Sequence, residues 1–198
     1  MSGPILQDFY ARDALDVARD LLGRHLVCGP VTLRITEVEA YRSPDDTANH
    51  CRAGRTARNA AMWGPPGRAY VYLCYGLHQM LNLVTDGEGQ GAAVLIRACE
   101  VVQGLDVVRS RRGDKQGPVL LTGPGKVGAA LGLDTSWCHH PLYEPGGLEL
   151  HKGTPPSAIL AGPRVGIDYA ETEHRLAPWR LAVAGSAWVS QRKTLRPG

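Results

Sequence analysis

The sequence predicts one domain that mixes α-helices with antiparallel β-strands. A length of 198 residues suits one well-filled core better than two. Helical apolar spacing near the N-terminus gives way to short, strand-like apolar runs. Residues 70–99 set two such runs about the turn-forming "DGEGQG", the pattern of an antiparallel hairpin. Hydrophobic residues make up 43% and charged residues 21%, as in ordinary globular proteins, and no repeat, low-complexity tract or interdomain linker interrupts them.

Each element follows from its residues. "ARDALDVARDLLG" is an amphipathic helix, with Leu15, Ala18, Leu21 and Leu22 on one side and Gly23 as its stop. Strands are expected at about 26–28 and 31–41. "SPDDTANHCRAGRTARNAAMWGPPGRA" is rich in turn formers and arginine and reads as a long functional loop with at most one helical turn. "YVYLCYGLHQMLNLVT" is a strand bent at Gly76, and "AAVLIRACE" is a buried strand. "GLDVVRSRRG" is a short helix, and "LLTGPGKVGAALG" a glycine-rich turn opening a helix with Pro124 near its first position. "LELHKG", "RVGIDYA" and "WRLAVAGSAWVS" close the chain as short strands.

The second strand poses a question. Val31, Leu33 and Ile35 share one face, and strict alternation would carry Glu37, Glu39 and Tyr41 onto it. A carboxylate pointing where a hydrophobic face points must be paired, neutralised or placed at a cleft. The other reading is that the strand leaves the core, or bulges, near Thr36.

Composition narrows the function classes. No run of about 18 apolar residues occurs, so no membrane span is expected. The N-terminal twenty residues lack the basic start and apolar centre of a secretory signal, which points to an intracellular, cytoplasmic protein. Five widely spaced cysteines without a C-x-x-C pair argue against both a disulfide framework and a zinc knuckle. The net charge of +3 is uneven: residues 1–50 hold five Arg against eight Asp and Glu, whereas residues 51–68 hold four Arg and no acid. Such a loop suits a polyanion, or is simply solvated.

Several motifs carry candidate chemistry. "GPGK" is not a phosphate-binding P-loop, because Leu120 and Val127 stand where that motif needs Gly and Ser or Thr. It leaves amides at a helix N-terminus, with Lys126 nearby, as a seat for a backbone phosphate. Glu39, Asp45, Asp46, His50 and Cys51 could ligate a metal, but no metal-binding spacing supports it, and His50 reads equally as a surface histidine. Tyr70 and Tyr72 share a strand face, with Tyr75 on the other, beside the basic loop; they are a stacking surface or ordinary core tyrosines. Arg97, inside an apolar run, must reach phosphate or a carboxylate. Together these features fit an enzyme that acts on a base taken out of a nucleic-acid stack.

"EVEAYRSPDDTANHCRAGRTARNAAMW", "GRAYVYLCYGLHQMLN", "VLIRACE", "TGPGKV" and "GSAWVS" closely resemble the alkyladenine (3-methyladenine, methylpurine) DNA glycosylase family, over about residues 5–190. The resemblance implies a single α+β domain, residues 1–198, with a curved antiparallel sheet, flanking helices and a protruding, DNA-inserting β-hairpin. It implies monofunctional base-excision repair on double-stranded DNA, approached from the minor groove; a monomer without cofactor or metal is expected. The substrates implied are alkylated or deaminated purines of the 3-methyladenine, 7-methylguanine, hypoxanthine and ethenoadenine class. Transferred position by position, the catalytic glutamate falls on Glu39, and the base pocket on Tyr41, His50, Tyr72 and Asn82. The intercalating tyrosine falls on Tyr75 and a DNA-contacting arginine on Arg97; Arg55, Arg58 and Lys126 are further DNA contacts. On this resemblance Glu39 would lie on the apolar face because that face leads into the pocket. Two rivals stay open: a non-catalytic nucleic-acid-binding module, and a metal-dependent nuclease using Glu37, Glu39, Asp45 and Asp46.

Overall fold

Asp13 starts the first helix: its carboxylate accepts the Leu15 N–H at 2.8 Å and caps α1 (Ala14–Leu21). The computed structural model describes residues 3–198; Met1 and Ser2, which begin the segment read above for a leader, lie outside them. The buried face of α1 is Ala14, Val17, Ala18 and Leu21, so Leu15 sits at its margin rather than in its centre. Burial of a side chain such as Leu21 is worth about 1.5–3 kcal/mol.

The strands are β1 (His25–Cys28), β2 (Val31–Tyr41), β3 (Ala69–Cys74), β4 (His78–Thr85), β5 (Ala92–Gln103), β6 (Leu148–His151), β7 (Ile159–Gly162), β8 (Arg180–Val183) and β9 (Arg196–Pro197). They form an open nine-stranded antiparallel sheet in the order β3-β4-β5-β2-β8-β7-β9, with β1 joining β2 to β6. With its helices this is an α+β fold. On one edge β2 pairs with β5 along most of its length; on the other it pairs first with β1, over Val31–Arg34, and then with β8, over Glu37–Glu39.

The changeover coincides with a pair of bulges. Ile35 faces Cys99 and Glu37 faces Ala98, so Thr36 is an extra residue on β2; Val38 then faces Ile96, so Arg97 is an extra residue on β5. The bulge re-phases the strand. Val31, Leu33 and Ile35 enter the main core, and beyond Thr36 the core residues are Val38 and Ala40. Glu37, Glu39 and Tyr41 therefore lie on the opposite face. Strict alternation, and with it the expectation that Glu39 sits on the apolar face, is overturned by that one added residue.

The segment read as one bent strand at 70–85 is two. β3 reverses into β4 through Tyr75 and Gly76, both at positive φ (50° and 69°), with Leu77 N–H bonded to Cys74 C=O at 3.1 Å. Tyr75 is thus a turn residue, and its assignment to the other strand face lapses. β3, β4 and β5 form a meander, but β4 pairs with β5 only from Asn82 onward, so the start of β4 stands away from the sheet.

Helix α2 (Leu105–Arg112) and helix α3 (Pro124–Leu131, with Pro124 at its first turn) lie where the sequence places them. The N-terminal end of α3 fills the gap between β4 and β5: a Cβ on Gly128 would strike the Gln79 carbonyl, and one on Gly125 would strike the His78 ring. "RVGIDYA" is no strand; residues 164–170 are loop, followed by the short helix α4 (Thr172–Leu176), which the sequence reading lacked. Among the described residues no helix is long and apolar enough to cross a membrane.

Candidate active site

A cavity of about 560 Å³ opens between the arginine loop, the β3–β4 hairpin and the 165–169 loop. The second face of the β3–β4–β5 meander forms one wall. Tyr70 pairs across the strands with Asn82, Tyr72 with Met80, and Asn82 with Leu95, which brings Tyr72, Met80, Asn82 and Leu95 to the lining. Tyr41, past the bulges on β2, and Arg97, the extra residue on β5, supply the floor; Val165, Gly166, Ile167 and Tyr169 supply the far wall.

Glu39 lies just behind that floor and is fully buried. Its Oε1 accepts the Val165 N–H at 2.7 Å, and its Oε2 accepts the Tyr41 hydroxyl at 3.0 Å. Arg97 Nη1 stands 3.3 Å from the same Oε2. All three partners line the cavity, so the carboxylate meets it through them. Burial, and then the Glu39 charge, holds the Tyr41 hydroxyl protonated by raising its pKa well above the ordinary range.

Glu37 is committed elsewhere. It accepts from Arg180 Nη1 (3.0 Å), Arg97 Nε (3.3 Å), Ser190 Oγ (2.8 Å) and Ser190 N–H (2.6 Å), with Arg180 itself fully buried. Asp46 is bidentate to Arg164, at 2.5 and 2.8 Å. The acids of the nuclease reading are thus shared out among arginines, Asp45 is exposed, and among the described residues no three His, Cys, Asp or Glu come together as a metal site.

His50 stands at the cavity rim, 3.2 Å from the Tyr70 hydroxyl and edge-on to Tyr72 at 4.7 Å between ring centres. Protein packed round the ring, and then Arg58 and Arg52, lower its pKa, so the imidazole is neutral at neutral pH. Asn82 donates both amide hydrogens to backbone, to Tyr70 C=O and Met80 C=O at 3.2 Å each. Tyr75 is 91% exposed at the hairpin tip, beside the exposed Leu77. Arg55 and Arg58 are exposed on the basic loop, and Arg58 also donates to Leu73 C=O at 3.4 Å. Lys126 is half-buried in the first turn of α3, two residues past Pro124, which lines the cavity.

Arg97 is differently placed from the rest. It is only 6% exposed, is gripped by Glu37 and Glu39, and presents itself to the cavity alone. The sequence required of it phosphate or carboxylate; it has two carboxylates.

Sequence reasoning missed the 164–165 pair. Arg164 lies between the rings of Tyr41 (4.7 Å) and Trp179 (4.9 Å), donates to Ala40 C=O at 2.9 Å and pairs with Asp46. It thereby fixes the back of the pocket ring, next in sequence to the amide that holds Glu39. Arg164 and Arg180 carry the signal that exposed Arg97, a lone arginine among apolar, Pro and Gly residues, and could have been read the same way.

Residues 8–187 match the family described as methylpurine-DNA glycosylase. The chain belongs to that family. It is 59% identical over 193 residues to a DNA-3-methyladenine glycosylase of Arabidopsis thaliana, across 96% of this chain and 76% of the plant protein. It is 69% identical over 189 residues to a Nitrosococcus oceani protein that carries the name 3-methyladenine DNA glycosylase provisionally, across 96% of this chain and 94% of that one. Membership makes this methylpurine-DNA glycosylase relative a DNA-repair enzyme that binds DNA and processes alkylated bases. The binding-module reading ends here.

Proposed function

We propose that the enzyme is a monofunctional glycosylase that hydrolyses the N-glycosidic bond of alkylated or deaminated purines, of the 3-methyladenine, 7-methylguanine, hypoxanthine and ethenoadenine class, flipped from duplex DNA. The observation that carries this reading is a buried carboxylate behind the floor of an aromatic cavity whose rim bears an exposed tyrosine on a hairpin tip. Tyr75 enters the minor groove and fills the gap left by the flipped nucleotide. Tyr41, Tyr72 and His50 enclose the base. An electron-poor or cationic purine gains about 0.5–2 kcal/mol from each ring face it meets, and a neutral His50 adds no repulsion.

Glu39 takes a proton from a water as the water oxygen bonds to the sugar C1′ and the C1′–N bond breaks, with the electron pair leaving on the base. A cationic alkylpurine leaves as a neutral molecule and needs no acid. Among the described residues no lysine lines the cavity to serve as an amine nucleophile, and the strand is left intact. The test is release of free base from alkylated duplex DNA in the presence of a chelator. Base release without strand scission is expected; scission, or release abolished by chelation, would overturn the reading.

A further inference from the structure

The hairpin stands between two basic banks: the arginine loop, and a second of which the sequence pointed only to Lys126. On its outer side β3 is the terminal strand of the sheet, and there Arg58 of the arginine loop donates to Leu73 C=O. On its inner side α3 packs against β4, with Gly125 close against His78 and Gly128 against Gln79. This second side also carries positive charge. Arg112 ends α2 and is tied by Nε to Leu120 C=O at 3.0 Å, just ahead of α3. Lys115 follows on the exposed turn, and Lys126 lies over Gly123 at the start of α3. None of the three is in an ion pair among the described residues. Arg112 and Lys115 lie near enough to Lys126 that, after burial, their charges lower its pKa. Three uncompensated cations so close together repel one another, and a bound polyanion relieves that repulsion.

We propose that Arg112, Lys115 and Lys126 form a second phosphate track, which grips the damaged strand on the far side of the flipped nucleotide from the arginine loop. The placement follows from the cavity mouth. A strand that sends one nucleotide into the cavity must cross the mouth, so its phosphates leave on both sides of the hairpin. Arg58 lines the mouth on one side, and Pro124 brings α3 to it on the other. The inference rests on the base-flipping reading above, and it adds a partner for residues that reading does not use.

Binding of undamaged and lesion-bearing duplexes should be measured across a salt series for Arg112→Gln/Lys115→Gln and, because Arg112 also ties α2 down, for Lys115→Gln alone. Removing two phosphate contacts should flatten the slope of log K against log salt by about 1.8 and weaken binding roughly tenfold near physiological salt. Lys115→Gln alone should give about half that change in slope. Single-turnover base release at saturating enzyme should stay unchanged in both. On duplexes with a long flank on only one side of the lesion, the double variant should lose affinity for one polarity and match the parent on the other. An unchanged slope, or an equal loss on both polarities, would overturn the track. Failure of the glycosylase reading would look different, because the parent enzyme itself would then release no base.

Discussion

Glu37 and Glu39 project from the same face of β2 and are equally buried, yet only Glu39 has all its partners in the cavity lining. Glu37 is the counter-charge of a buried arginine, Arg180, at 3.0 Å. The two carboxylates should therefore fail in opposite ways when neutralised. Glu39→Gln keeps the shape and, through its amide oxygen, the bond from Val165 N–H, and the Tyr41 hydroxyl can turn to accept from the amide nitrogen. It should cost less stability than Glu37→Gln while losing base release by roughly 10²–10⁴-fold, the usual scale for a general base. Glu37→Gln should cost about 3–5 kcal/mol of stability by leaving Arg180 buried without its charge partner. Thermal melts and single-turnover assays on both variants decide it. Normal turnover in Glu39→Gln would move the base to another residue.

Tyr75→Ala should leave the melting temperature almost untouched, since the side chain is 91% exposed. Lesion excision from a paired duplex should drop on the order of ten- to hundredfold, because stacking by one aromatic is worth about 1–3 kcal/mol. The loss should shrink when the lesion is mismatched or single-stranded, where less unstacking must be offset. Equal losses on paired and mismatched hypoxanthine would assign Tyr75 a packing role.

The lowered pKa of His50 predicts a lesion-specific response to acid. The ring is neutral at pH 7 and gains its proton only below the ordinary histidine value of 6.5. Once charged, it repels a cationic purine across the pocket but not a neutral one. The ratio of kcat/KM for 7-methylguanine to that for hypoxanthine should thus fall between pH 7 and pH 5 in the parent and stay level in His50→Gln. A fall that begins above pH 6.5 would contradict the lowered value.

Arg55 is exposed on the loop, and among the described residues it makes no ion pair that its loss would break. Arg55→Gln should weaken lesion and undamaged duplexes alike and reduce the salt slope by about 0.9, the signature of one phosphate contact. A loss confined to lesion DNA would place Arg55 at the pocket instead.

A chelator should leave base release undiminished, since Glu37 and Asp46 are bound to arginines rather than open to an ion. Activity lost in EDTA and restored by a divalent cation would favour the nuclease chemistry.

Much of this architecture was legible because its signals are local. The stop of α1 at Gly23, Pro124 opening α3, and the turn-rich arginine loop are each specified by residues next to one another. The reversal at Tyr75–Gly76 was read only as a bend, because a non-glycine residue at positive φ has a weak sequence signature. The face of Glu39 was misread for another reason. A bulge near Thr36 is one of the two readings the sequence offers, and the structure bears it out; the strand alone does not decide between them, because a bulge is a property of two strands. Long-range partners were equally hidden: Val165 and Arg164 meet β2 from more than a hundred residues away, in a stretch that resembled a strand and is a loop.

The paired bulges decide which positions on β2 admit a charge. Ile35 and Val38 share the core face although they are three residues apart, so Val38 and Ala40 must stay apolar while carboxylates are admitted at Glu37 and Glu39. Removing Thr36 alone would take out the extra residue and leave those faces as they are, because Glu37 would then follow Ile35 directly and point away from the core. The extra residue on β5 is not dispensable in the same way: removing Arg97 would take away the cation shared by both glutamates.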